Sequence, residues 1–75
     1  MNAKKMSPKE VIYAGQKVRK ARLQAFIGSQ RELAEKAGIR ANIISDLERG
    51  KRSVSPDWAR RIAEVVGVNW LDLMD

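Results

Sequence analysis

The chain contains no cysteine and no histidine. Without cysteine it has neither disulfides nor thiolate metal sites, a composition compatible with the reducing cytoplasm, where we expect the protein to be located. Without histidine it lacks the commonest general base and metal ligand, so that a site of carboxylates alone is the remaining option for a metal. No pairing of a nucleophile with a base is visible. We therefore expect no enzyme activity, no cofactor and no metal.

Long apolar segments are also missing. Apolar residues occur in short groups such as Val65-Val66, which excludes a transmembrane helix and a signal-peptide core, and we expect no membrane partner. No segment has the pattern of a β-strand, and there is no internal repeat. A chain of 75 residues buries only about 60% of its unfolded surface, so we expect one small all-α domain.

Charge is unevenly distributed along the chain. Fifteen basic and nine acidic residues give a net charge of +6. Residues 1–31 carry a charge of +7 and residues 40–61 a charge of +3, whereas residues 62–75 carry −3. A molecule polarised in this way attracts a polyanion to its basic side, nucleic acid first and an anionic membrane surface second.

Helix start and stop residues predict five helices. Residues 1–7 have no apolar period and are predicted to form a flexible basic arm ahead of a domain that spans residues 8–75. Ser7 is expected to cap helix 1, which should run from Pro8 to about Ala25. Phe26 and Ile27 are then expected to close the core between helices 1 and 2.

Two short helices are predicted between Ser29 and Gly50. Ser29 and Glu32 have the spacing of a capping box, so helix 2 should begin at Gln30 and end at Gly38. Helix 3 should follow from about Ala41 to Arg49. Two helices in this length are typical of a helix-turn-helix unit. Ser55 and Pro56 predict the start of helix 4, Gly67 its end, and Asn69 the cap of a fifth helical segment of a turn or two.

A pattern of apolar, glycine and polar residues at characteristic spacings extends over about residues 11–73. It comprises Gly15, Val18 and Arg22, then Ser29, Gln30, Leu33, Ala34, Gly38 and Ile39, then Ile44, Ser45, Leu47, Glu48, Gly50 and Lys51, and finally Ile62, Ala63, Gly67 and Val68. In these positions the chain resembles the lambda-repressor-like helix-turn-helix domains of phage repressors, Cro proteins and related small bacterial regulators. The resemblance implies a five-helix all-α domain that binds double-stranded DNA as a homodimer on a palindromic operator, as a phage-type or prophage-type repressor.

Helix 3 is the expected recognition helix. Ile44 and Leu47 should hold its inner face, so that its outer residues can meet base edges in the major groove. Asn42 suits adenine, Arg40 suits guanine, and Asp46 can accept a hydrogen bond from cytosine. The expected base contacts are Arg40, Ala41, Asn42, Ser45 and Asp46. The resembled family usually has serine or threonine as the helix cap at Arg40, and arginine lacks that acceptor, so the alternative is a later start with Asn42 as cap.

Other residues are expected to contact the DNA backbone or to support the unit. The resemblance places Gln30 against a phosphate, at a helix N-terminus that favours anions. The remaining candidates for phosphate contacts are basic: Lys17, Arg19, Lys20, Arg49, Lys51 and Arg52. The resemblance also implies an ion pair between Arg22 and Glu48, which agrees with the position of Arg22 on an apolar helix face.

The C-terminal apolar residues are interpreted in two ways. Trp70, Leu73 and Met74 are candidates for a two-fold dimer contact, and Leu71 is expected in the core. Two other functions stay open. One is the antitoxin of a toxin–antitoxin pair, which would bind a toxin as well as DNA, and the other is a helical protein-interaction module without a DNA role. Polymerase is a further possible protein partner.

Overall fold

The computed structural model describes residues 8–74. In this range the chain forms four α-helices, α1 (Pro8–Gln24), α2 (Gln30–Ala37), α3 (Ala41–Glu48) and α4 (Pro56–Val66), followed by a 3-10 turn (Trp70–Leu73). The predicted all-α fold with a helix-turn-helix is confirmed, whereas the fifth predicted helix is a single 3-10 turn. The predicted arm over residues 1–7, and Ser7 as the cap of α1, lie outside the described residues. None of the helices described is long and apolar enough to cross a membrane.

The ends of α2 follow from local side-chain chemistry. The hydroxyl of Ser29 accepts a hydrogen bond from the backbone N–H of Glu32 at 3.0 Å, which satisfies one of the free donors at the helix start. Gly38 ends the helix with φ +68°, a conformation that glycine adopts without steric cost. Ile39 then donates to the carbonyl of Ala34 at 3.0 Å. Both predicted ends of α2 are confirmed.

Helix α3 begins without a side-chain cap. Arg40 precedes it in an extended conformation, and no side chain accepts from the first turn. The backbone carbonyl of Arg40 accepts from Ile43 and Ile44 at 3.0 and 3.1 Å, and the side chain of Ile44 is fully buried. Burial therefore fixes the start of α3, and the alternative start at Asn42 is not adopted. Asn42 lies within the first turn and is exposed.

The core lies where α1, α2 and α4 surround α3 and the C-terminal turn. Its fully buried large side chains are Val18, Leu33, Ile44, Leu47, Val54, Ile62 and Leu73. Helix α1 crosses α3 at Gly15, where an added Cβ would lie 2.1 Å from the carbonyl oxygen of Leu47. The two helix backbones therefore touch at this position. The crossing sets how far α3 stands from the rest of the domain.

The roles expected for Leu71 and Leu73 are reversed. Leu73 is only 1% exposed and packs into the core, whereas Leu71 is 54% exposed. A 3-10 helix has three residues per turn, so Leu73 shares the inward face with Trp70, and Leu71 points away from it. The prediction of Leu71 as a core residue is wrong, and the side chain of Leu73 offers almost no surface to a partner.

Phe26 is a second correction. It was expected in the core, but its side chain is 94% exposed, and only Ile27 is buried. The backbone N–H of Ile27 donates to Arg22 and that of Phe26 to Leu23, which is the hydrogen-bond pattern that ends a helix through a left-handed residue. Phe26 is that residue, with φ +61°. Glycine usually occupies this position because a Cβ is strained there.

Replacing Phe26 by glycine is expected to stabilise the domain by about 1 kcal/mol, because it removes the left-handed strain of a residue whose ring contributes little burial. The melting temperature should rise by about 4 to 8 °C. Phe26→Ala is the matched control, since it removes the ring but keeps the Cβ at the same backbone angles. Equal melting temperatures for both variants would show that the strain has no energetic consequence.

Candidate nucleic-acid interface

A buried ion pair holds the helix-turn-helix against α1. Arg22 donates from Nε to one carboxylate oxygen of Glu48 at 2.8 Å and from a terminal nitrogen to the other at 3.0 Å. Its remaining terminal nitrogen donates to the carbonyl of Ile27 at 3.0 Å. Arg22 and Glu48 thus form the pair that the sequence predicts, and both side chains are buried. The planar fork of arginine fits this two-bond geometry, so the pair fixes the angle between α1 and α3.

Gln30 extends this network to α2. Its side-chain amide donates to Glu48 at 3.0 Å, and the residue is half-buried. An amide nitrogen has two hydrogens, so one remains for an acceptor outside the protein. The contact ties the first turn of α2 to the end of α3. Gln30 is therefore oriented by the protein itself, a role that its position in the sequence did not suggest.

The outer side of α3 carries the predicted base contacts. Arg40, Ala41 and Asn42 are exposed next to one another at its N-terminal end, whereas Ser45 and Asp46 are half-buried one turn later. The opposite side of the same helix is buried. A narrow helix with an anchored inner face and exposed polar N-terminal side chains has the shape and chemistry needed to enter a major groove.

The loop after α3 brings three of the predicted cations together with this helix. Arg49 ends α3, Gly50 follows with φ +74°, and Lys51 and Arg52 form the bend beyond it. Arg52 donates from Nε to the carboxylate of Asp46 at 3.0 Å. Within residues 8–74, Arg40, Arg49 and Lys51 form no salt bridge, so their charges are available to an external anion.

The other three predicted cations lie elsewhere on the surface. Lys17 and Lys20 line a cleft with Val68, Leu71 and Asp72, beside the C-terminal turn. Arg19 borders a second depression on α1, which Lys20 also lines. Neither depression includes a residue of α3 or of the loop after it. The three cations of α1 therefore line depressions to which the three cations after α3 do not contribute.

Two contacts beside the candidate interface were not apparent in the sequence. The Asp46–Arg52 pair spans six positions across a glycine stop, and the opposite charges flanking Gly50 were its only sequence signal. Arg61 of α4 donates to the carbonyl of Gly38 at 3.2 Å and thus holds the turn between α2 and α3. An arginine on a helix surface has no pattern that predicts such a contact, because its partner is a backbone group of a distant segment.

Comparisons with known proteins agree with this geometry. A family model described as helix-turn-helix matches residues 18–73, which include α2, α3 and α4. Control protein C.BamHI from Bacillus amyloliquefaciens is 44% identical over 61 residues, covering 81% of this chain and 75% of that protein. The matches extend over most of the domain and are not confined to the two central helices.

Proposed function

The chain belongs to the helix-turn-helix family of DNA-binding transcriptional regulators, and we propose that it represses transcription by occupying a palindromic operator as a dimer. One observation carries the proposal. Arg40, Ala41 and Asn42 are exposed side by side on a helix whose inner face is fixed by Ile44 and Leu47. Such a helix presents donors and acceptors to base edges without changing its own packing.

Direct contact with bases is assigned to the outer residues of α3. Arg40 suits guanine and Asn42 suits adenine through paired hydrogen bonds, each contributing about 1 to 3 kcal/mol of discrimination. Ala41 fits a thymine methyl group. The hydroxyl of Ser45 can donate a hydrogen bond to a base or accept one from it. Asp46 is closest to the loop, and its pairing with Arg52 is considered below.

Backbone contacts are assigned to the groups that flank α3. Gln30 offers its second amide hydrogen, and Arg49, Lys51 and Arg52 offer positive charge on the same side of the domain. Contacts of this kind fix the register of a protein on the duplex and carry no sequence information. Lys17, Arg19 and Lys20 add to the positive potential that attracts DNA from a distance.

Dimerisation is assigned to the C-terminal turn. Leu71 is exposed there, Trp70 and Met74 are half-buried, and Val68 lies at the edge of the same cleft. Lys20 and Asp72 lie in this cleft with opposite charges, so a two-fold contact can place each against its counterpart in the partner. Leu73 belongs to the core and is left out of this surface.

The similarity to a control protein supports a regulatory role. The relative is named as a control protein, and its identity of 44% extends over most of this chain. We infer that this chain also controls the expression of genes next to its operator. Binding at an operator that overlaps a promoter produces repression by excluding polymerase.

Separate substitutions of Arg40 and Asn42 by alanine are each expected to reduce sequence preference. Each variant should lose about 1 to 3 kcal/mol of binding to the operator, with little loss on unrelated DNA. Competition of an operator duplex against a scrambled duplex measures the ratio of the two affinities. Lys36→Ala removes one charge from α2 and serves as the control, because it should leave that ratio unchanged. A retained ratio in the Arg40 and Asn42 variants would favour a protein-interaction module instead.

A further inference from the structure

We propose that Asp46 is a positioning residue, which holds Arg52 in place for a phosphate contact so that an acidic group strengthens binding to DNA. The inference rests on the proposed function. It assigns Asp46 an effect on affinity for any duplex, whereas a cytosine contact would act on one base pair only.

The geometry of the pair leaves the end of the arginine free. Arg52 uses Nε for Asp46 at 3.0 Å, while its side chain remains 47% exposed. A guanidinium carries five N–H donors, so the four at its terminal nitrogens remain for other acceptors. The carboxylate side chain is 29% exposed and rests on α3, which makes it the less mobile partner. Arg52 is thus held at Nε, while its terminal nitrogens remain accessible to an acceptor.

Asp46 also restrains the main chain of the loop that contains Arg52. Its carbonyl accepts from the N–H of Lys51 at 2.8 Å, and Gly50 donates to Leu47 at 3.1 Å. Gly50 is packed against Ile12, since an added Cβ would lie 2.9 Å from that side chain. One residue of α3 therefore restrains the loop through its main chain and Arg52 through its carboxylate.

The charge of Asp46 is otherwise unfavourable for DNA binding. Glu48, the other acid of α3, is neutralised inside the protein by Arg22, whereas Asp46 lies on the side that carries Arg40, Arg49 and Lys51. A carboxylate near phosphates repels them unless it is paired. The pairing cancels this repulsion and removes rotamer freedom from Arg52 before DNA arrives, which lowers the entropic cost of the contact.

A double-mutant cycle tests the proposal. Asp46→Ala should weaken binding about three- to tenfold both on a duplex selected from a random pool and on its scrambled counterpart, the effect of freeing one long side chain. Asp46→Asn keeps an acceptor oxygen for Arg52 and should weaken binding less. In an Arg52→Ala background, Asp46→Ala should cause no further loss. Arg52→Ala alone should reduce the dependence of log affinity on log salt by about 0.9.

Two results would overturn the inference. Tighter binding of Asp46→Ala in the presence of Arg52 would show that the carboxylate only repels DNA. A loss that persists in the Arg52→Ala background and depends on one base pair would show that Asp46 contacts a base. The pair lies at the surface of the domain, so thermal melting should confirm that all variants remain folded. Failure of the wild-type chain to bind any duplex would instead refute the proposed function. The affinity of the wild-type chain alone therefore distinguishes this outcome from a failure of the inference about Asp46.

Discussion

Glu48→Ala is expected to lower the free energy of unfolding by about 3 to 5 kcal/mol. The substitution leaves the guanidinium of Arg22 buried among apolar side chains without a counter-charge, and it removes the acceptor of Gln30 as well. Domains of this size lose about 4 °C or more in melting temperature per kcal/mol, so the expected decrease exceeds about 12 °C. Thermal unfolding followed by circular dichroism measures it.

Two further variants separate the ion pair from a general effect of losing a carboxylate. Glu64→Ala removes an exposed acid of α4 and should change stability by no more than about 0.5 kcal/mol. Replacing Arg22 and Glu48 together by methionine should recover much of the loss, since no buried charge is then left unpaired. A melting temperature of Glu48→Ala within a degree or two of wild type would remove the structural role of the pair.

Gly15→Ala is the second substitution with a large expected effect. An added Cβ would lie 2.1 Å from the carbonyl oxygen of Leu47 and 3.1 Å from that of Glu48, so α1 and α3 must separate. Overpacking of a well-packed contact costs about 1 to 3 kcal/mol, occasionally more, and two helix backbones have no flexible side chain to give way. We expect a loss of about 3 kcal/mol, larger than the gain of about 1 kcal/mol in helix propensity.

Gly28→Ala is the matched control for this prediction. Nothing lies within 4 Å of a Cβ built at Gly28, which is exposed in the loop between α1 and α2. The same chemical change should be neutral there or stabilise the domain by about 0.4 to 1 kcal/mol, through the unfolded chain. Chemical denaturation of both variants measures the difference. Similar stabilities would contradict the close crossing of α1 and α3.

Local signals explain why the helix boundaries were predictable. Ser29 with Gly38, and Ser55 with Gly67, satisfy the ends of α2 and α4 through groups a few residues away. Such bonds do not depend on the rest of the fold, so the sequence contains the whole cause. Helix α3 has no such cap, and its inner face was predictable because Ile44 and Leu47 lie three positions apart on one side of a helix.

Three outcomes were not predictable from the pattern of residue types. Phe26 is a large apolar residue of the kind usually found in a core. It adopts the left-handed conformation that ends α1, and its ring therefore points to solvent. Leu71 and Leu73 exchange roles because the final segment has the period of a 3-10 turn. Lys17, Arg19 and Lys20 form one cluster in the sequence, yet Lys17 and Lys20 line the cleft beside the C-terminal turn and Arg19 does not. The first two outcomes follow from the backbone conformation of the segment itself, and the third from its packing against a distant segment.

We propose that two copies of this domain bind a specific palindromic DNA sequence through α3. Selection of bound duplexes from a random pool tests it most directly, because the enriched sequences report specificity, symmetry and half-site spacing together. We predict inverted repeats with half-site centres about 10 base pairs apart, or roughly 34 Å. Recovery of unrelated sequences, or of sequences without a common motif, would contradict the account.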